Sequence, residues 1–117
     1  MADGYAIATS VLIGGATAPR LVDSGVIIHI AAVFTNSAGT AANPGTVKFS
    51  YRADAIGTTT TYTYGVGTSI LRGSTGNYYV DLDTNESAGR WEWNFFATGA
   101  GQAADHDFFY VRPTAAV

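Results

Sequence analysis

The sequence predicts an all-β fold, two antiparallel sheets packed face to face, and three observations predict it. Short runs rich in Val, Ile, Thr, Tyr, Phe and Trp recur between clusters of Gly, Asn, Asp and Pro. Apolar and polar side chains alternate with a period of two, while the 3.6-residue period of an amphipathic helix is missing. A doublet completes the case: Gly76-Asn77-Tyr78-Tyr79-Val80 is followed thirteen residues later by Gly89-Arg90-Trp91-Glu92-Trp93. Each half is a turn glycine feeding a strand with large apolar alternate positions, spaced like successive antiparallel strands.

Taken in order, the predicted strands span Ala6 to Ile13, Val26 to Thr35, Thr46 to Arg52, Thr58 to Tyr64, Ser69 to Arg72, Asn77 to Leu82, Arg90 to Thr98 and Asp105 to Arg112. Glycine, asparagine and aspartate clusters separate them, from Gly14-Gly15 to Gly99–Ala104. Alternation assigns the faces. Val47, Phe49 and Tyr51 point inward while Lys48, Ser50 and Arg52 point out. Ile28, Ile30, Ala32 and Phe34 face the core and His29 faces away. Tyr78, Val80 and Leu82 pack beside Trp91, Trp93 and Phe95. In the last strand both faces are apolar, and Phe109 and Val111 are assigned inward. Large aromatics at these positions anchor two layers about 10 Å apart.

Seven or eight short antiparallel strands with turns every eight to twelve residues fit an immunoglobulin-like Greek-key β-sandwich, with a small closed barrel as the alternative. Residues 1–117 form one domain, with its core in about 6–112 and a frayed tail at 113–117. A chain of this length buries roughly two thirds of its unfolded surface and needs no disulfide or metal staple. Trp91 stands near the place of an immunoglobulin tyrosine corner but lacks the hydroxyl, and there is no cysteine for an inter-sheet disulfide.

Composition excludes several functions. With no cysteine, thiol catalysis and Cys-ligated zinc are ruled out. Only 13% of residues are charged and 47% are hydrophobic, so Thr, Ser, Asn, Gly and Ala cover a weakly solvated, readily buried surface. A net charge of −3 and six Lys and Arg scattered along the chain argue against nucleic acid, which needs a concentrated basic patch. The most apolar run, Val26 to Phe34, is too short to span a bilayer, and the first residues lack a basic signal-peptide region. The chain is expected to be made in the cytoplasm, without a signal peptide and without a membrane partner.

The motifs that could carry chemistry each meet an objection. Asp81, Asp83, Asn85 and Glu92 fall at positions 1, 3, 5 and 12 of a calcium loop, but position 6 is Glu86 where the sharp turn needs glycine. An acidic hairpin is the expected reading. Asp105-His106-Asp107 on a strand directs both carboxylates away from the imidazole, as a solvated strand opening would. No Gly-x-Ser-x-Gly elbow selects a nucleophile for His29 or His106. Residues 99–104 spell Gly-x-Gly-x-x-Ala but precede a strand, so no helix N-terminus cradles a phosphate. Asn85-Glu86-Ser87 is a glycosylation sequon only in a secreted eukaryotic context. No catalytic residue, cofactor or resident metal is expected.

What remains is surface. Tyr79, Phe96, Phe108 and Tyr110 are predicted to project from the outer side of the terminal strands, and an outer aromatic cluster suggests a partner. The run Gly45 to Arg52, then Thr59 to Gly65, Ser74 to Leu82, Gly89 to Trp93 and Thr98 to Ala104 resembles the small single-domain immunoglobulin-like proteins encoded among the head and tail genes of tailed bacteriophages. The resemblance covers about residues 21 to 112. It implies a non-enzymatic structural protein of the virion, one that decorates or cements the capsid or sits at the neck or tail. Its implied partners are other virion proteins, the major capsid or neck and tail subunits, together with further copies of itself. A weaker likeness to periplasmic copper-binding sandwiches fails because Met1 is the only methionine. The rival expectation is a carbohydrate- or cell-surface-binding adhesion module with Tyr62, Tyr64 or Tyr79 as stacking platforms.

Overall fold

A computed structural model of the chain describes residues 5–23, 25–53, 57–84, 88–99 and 101–112. Among these are ten strands and no helix: β1 (Ala6–Ile13), β2 (Ala16–Thr17), β3 (Leu21–Asp23), β4 (Ile27–Thr35), β5 (Thr46–Ala53), β6 (Thr59–Thr63), β7 (Leu71–Ser74), β8 (Asn77–Asp83), β9 (Gly89–Thr98) and β10 (Ala103–Arg112). They form two five-stranded sheets ordered β2-β1-β4-β8-β7 and β3-β10-β9-β5-β6. The molecule is an all-β sandwich.

The period-two pattern determines which side of each sheet is buried. Ile28, Ile30, Ala32 and Phe34 of β4 and Tyr78, Val80 and Leu82 of β8 face Val47 and Phe49 of β5 and Trp91, Trp93 and Phe95 of β9, all buried. Phe109 and Val111 of β10 join them. Both indoles plug the space between the layers, each only 3% exposed. Trp91 stacks on Tyr51 at 5.6 Å and on Phe109 at 5.7 Å, and Phe49 meets Trp93 at 6.2 Å and Phe95 at 5.1 Å. This aromatic band spans β5, β9 and β10, so removing one ring opens a cavity that neighbouring rings cannot fill. Such truncations cost about 3–5 kcal/mol.

Tyr51 is half-buried, a departure from its expected core position, because β6 ends the sheet beside it. Its hydroxyl lies 3.3 Å from that of Tyr62.

Three expectations need correction. The strands number ten among the described residues, and one pairing is parallel: β3 lies alongside β10 with Leu21 opposite Tyr110 and Val22 opposite Val111. Strands of two and three residues leave no alternation long enough to read, which hides β2 and β3 in the sequence. The fifth predicted strand is shifted, from Ser69–Arg72 to Leu71–Ser74. Ile70 is buried at 3% and plugs the core from the preceding loop, whereas every residue of β7 is exposed.

Two glycine turns hold the first sheet. Gly14 and Gly15 have φ of 59° and 85°, the pair of positive values that a two-residue hairpin between Ile13 and Ala16 requires. Gly76, at φ 75°, closes the β7–β8 turn and is buried; a Cβ there would stand 2.6 Å from the Phe34 carbonyl oxygen. Its N–H donates to Asn43 Oδ1 at 2.8 Å, its carbonyl accepts from Phe34 N–H at 2.8 Å, and the Tyr78 hydroxyl donates to the same Asn43 oxygen. Among the described residues no helix is long and apolar enough to cross a membrane.

Candidate interaction surface

The outer face of the second sheet is built from the side chains that alternate with its core residues. Register places Phe108 opposite Glu92 and Glu92 opposite Arg52, and beside this row His106 faces Asn94 and Asn94 faces Ser50. Tyr110 stands opposite Arg90 on one side and Leu21 on the other. Phe108, Glu92, Arg52, Arg90, His106 and Asn94 line an open groove of about 570 Å³ that runs from Phe108 to Thr59, with Tyr110 and Leu21 outside it.

Charge organises this face. The Glu92 carboxylate accepts from Arg90 at 2.8 Å and lies 3.6 Å from Arg52. Arg20 donates to Asp107 Oδ1 at 2.5 Å and to the Phe108 carbonyl at 2.7 Å. Its hydrogen bond and charge hold the Asp107 carboxyl below the ordinary carboxylate range. The guanidinium groups of Arg20 and Arg90 lie 4.6 and 4.9 Å from the Phe108 ring centre, within cation–π range. Tyr110 meets Phe108 edge-on at 5.7 Å. Arg112 pairs with Asp23 at the rim.

Basic residues scattered in the sequence are therefore gathered in space. Lys48, Arg52, Arg90 and Arg112 take outward positions on this sheet and Arg20 borders it, leaving only Arg72 of the six Lys and Arg elsewhere. This corrects the expectation of a dispersed positive charge. The signal was present: Arg52, Arg90 and Arg112 each alternate with core residues on strands that prove to be neighbours. What the sequence lacked was the strand order.

The four residues predicted as an interface do not share one face. Phe96, Phe108 and Tyr110 project from the second sheet, with Tyr110 45% exposed and the other two half-buried. Tyr79 projects from the first sheet, on the opposite side of the sandwich, where its ring packs 4.9 Å from His29. Leu21, absent from the sequence prediction, is 49% exposed and extends the Phe108–Tyr110 patch to the β3 edge.

The calcium-loop spacing does not converge. Asp81 and Asp83 face outward from the first sheet, Asp81 bonded to His29 Nδ1 at 2.8 Å, while Glu92 is held by arginines on the far face. Asn85 lies outside the described residues, as do the sequon's Glu86 and Ser87 and the tail 113–117. Among the described residues no three His, Asp or Glu side chains group around a metal position. His29 and His106 stand on opposite faces. Asp105 and Asp107 point away from His106, as expected, but into the seam between β1 and β10, where Thr9 donates to Asp105 at 2.5 Å. That seam opens a cleft of about 390 Å³ between Thr9, Val11, Pro19, Trp93 and Asp107.

The tyrosines expected as sugar platforms are dispersed. Tyr62 turns inward beside Tyr51, and the hydrogen bond from that neighbour, with burial, pushes its hydroxyl up to about 12. Tyr64 packs edge-on against Tyr78 at 5.0 Å. Phe108 does lie in a polar groove, yet two guanidinium groups occupy the space over its ring. Scanned against models of known protein families the chain matches none, and a search of curated proteins finds no relative.

Proposed function

We propose that this protein is a non-enzymatic structural component of a tailed-bacteriophage virion, an immunoglobulin-like domain that binds other virion subunits through the outer face of β3, β10 and β9. The strand orders support the immunoglobulin-like reading. With β1, β4, β8 and β7 in one sheet and β10, β9, β5 and β6 in the other, the order is that of the A-B-E-D and G-F-C-C′ sheets of such domains. The chain moves between sheets from β4 to β5 and from β8 to β9, as a Greek key does. The virion role rests on the resemblance in the strand and turn residues.

One observation carries the choice of face: Leu21, Tyr110 and Phe108 form a continuous apolar patch reaching a sheet edge, rimmed by arginines. Aromatic and arginine side chains are the residue types that dominate protein contacts. A patch of this composition suits a partner subunit with an acidic, apolar surface, and repetition around a shell multiplies a modest single contact. Decoration or cementing of the capsid is the leading position, and a head-tail accessory position the alternative.

The test is incorporation into particles. Replacing Phe108 and Tyr110 together by Ser is expected to abolish incorporation while leaving the circular dichroism spectrum of the isolated chain unchanged. Incorporation at the original level by a folded double variant would refute this face. Mass spectrometry of purified particles gives the copy number: hundreds of copies mean decoration, and about six or twelve a connector or tail position.

A further inference from the structure

Core-facing positions of a sandwich are apolar, and at the seam between β1 and β10 three of them are not. In β1, Thr9 shares the inward parity of Ile7, Val11 and Ile13 and stands opposite the buried Ala32. In β10, Asp105 stands opposite Phe95 and Asp107 opposite Trp93, both buried, so the two carboxylates take inward positions as well. A local rule broken in this way marks a functional position. Thr9 and Asp107 line the cleft of about 390 Å³ together with Val11, Pro19, Arg20 and Trp93. Ligand pockets run from roughly 300 to 1,000 Å³, so the cleft has room for one sugar ring.

Several polar groups of this wall are unengaged. Asp107 receives Arg20 and the Phe108 N–H on the same oxygen, Oδ1, which leaves Oδ2 as an acceptor. Arg20 donates through Nη1, to Asp107 and to the Phe108 carbonyl, which leaves Nη2 and Nε as donors. The Trp93 indole N–H is buried and has no hydrogen-bond partner among the described residues. It is covered by the wall, and it gains an acceptor when a ligand parts that wall.

These groups select the chemistry of the ligand. An anion is opposed by two carboxylates. An added peptide strand finds the edge of β10 taken: the N–H groups of His106 and Phe108 are held by Asp105 and Asp107 at 2.9 and 2.8 Å, and the Phe108 carbonyl by Arg20. A hydroxyl both donates and accepts, so neighbouring hydroxyls of one ring can bridge Asp107 and Arg20 while its C–H face lies on Val11 and Pro19. We propose that the cleft between β1 and β10 binds a neutral polyhydroxyl ligand of monosaccharide size, with Asp107 Oδ2 accepting from it and Arg20 donating to it. The site does not depend on the virion reading, and neither Leu21 nor Tyr110 of the aromatic patch is part of its wall.

The two tryptophans supply the test, because Trp93 lines the cleft and Trp91 does not. The isotope-labelled full chain is titrated with D-glucose, D-galactose and N-acetyl-D-glucosamine into the millimolar range, and the indole N–H signals, assigned with Trp93→Phe, are followed by nuclear magnetic resonance. At least one sugar is expected to shift the Trp93 signal saturably and the Trp91 signal less. Val11→Phe fills the cleft and is expected to abolish the shift without lowering the melting temperature. Asp107→Asn exchanges a charged acceptor for a neutral amide and is expected to weaken binding about fivefold or more. No saturable shift with any of the three sugars, equal shifts at both indoles, or binding left intact by either folded variant would overturn the inference.

Discussion

Gly76 concentrates more constraint than any other turn residue. Its conformation is one that side chains rarely adopt, and a Cβ would press on the backbone of Phe34 and Ala42, which cannot swing away. Gly76→Ala is expected to cost at least ~2 kcal/mol, measured as a lower urea midpoint. Gly14→Ala, where a Cβ meets nothing within 4 Å, carries the conformational cost alone and should be the milder. Asp107 governs a different response. Arg20 lowers its carboxyl pKa in the folded state from an ordinary 3.8, so the unfolded chain takes up this proton first as pH falls. The resulting stabilisation is full above about pH 4 and is lost as pH drops through the depressed folded value. Asp107→Asn should therefore lower stability by this contribution above about pH 4 and converge on the wild type at low pH, which flattens the acid limb of a stability-against-pH curve. Side chains 59% and 40% exposed keep the contribution small.

At the scale of elements, legibility followed alternation. β4, β5, β8 and β9 each carry three or more large apolar residues at every second position, and their faces follow from the order of residues alone. β10 was readable at Phe109 and Val111 because the other parity holds Tyr110 and Arg112 beside Phe108. β2, β3 and β7 were not. Their runs bury at most one residue, Val22 of β3, which is too little to imprint a pattern, and their existence depends on partners far away in the chain, as Leu21 depends on Tyr110. The interaction surface divided along the same line. Phe96, Phe108 and Tyr110 follow from parity, but nothing local reveals that Tyr79 belongs to the opposite sheet or that Arg20 reaches Phe108 from another element.

Across the whole molecule the positive side chains are unevenly shared. The second sheet carries or borders all the Lys and Arg but Arg72, with Arg20, Arg52, Arg90 and Arg112 paired there to Asp107, Glu92 and Asp23, while Asp81 and Asp83 stand on the outside of the first, Asp81 bonded to His29. Association through the arginine-rimmed face should weaken as ionic strength rises, measured as particle binding between low and high salt.

The parallel alignment of β3 with β10 also bears on how the domain resists force. Tension applied to the two flanks of the domain pulls β3 and β10 from opposite ends, so the bonds between them are sheared together and cannot open one after another like a zip. Upstream strands can peel away first, but further extension must slide Val22 and Val111 out of the interior at once. Under such a load, that arrangement makes the domain a strap that holds its length until it fails.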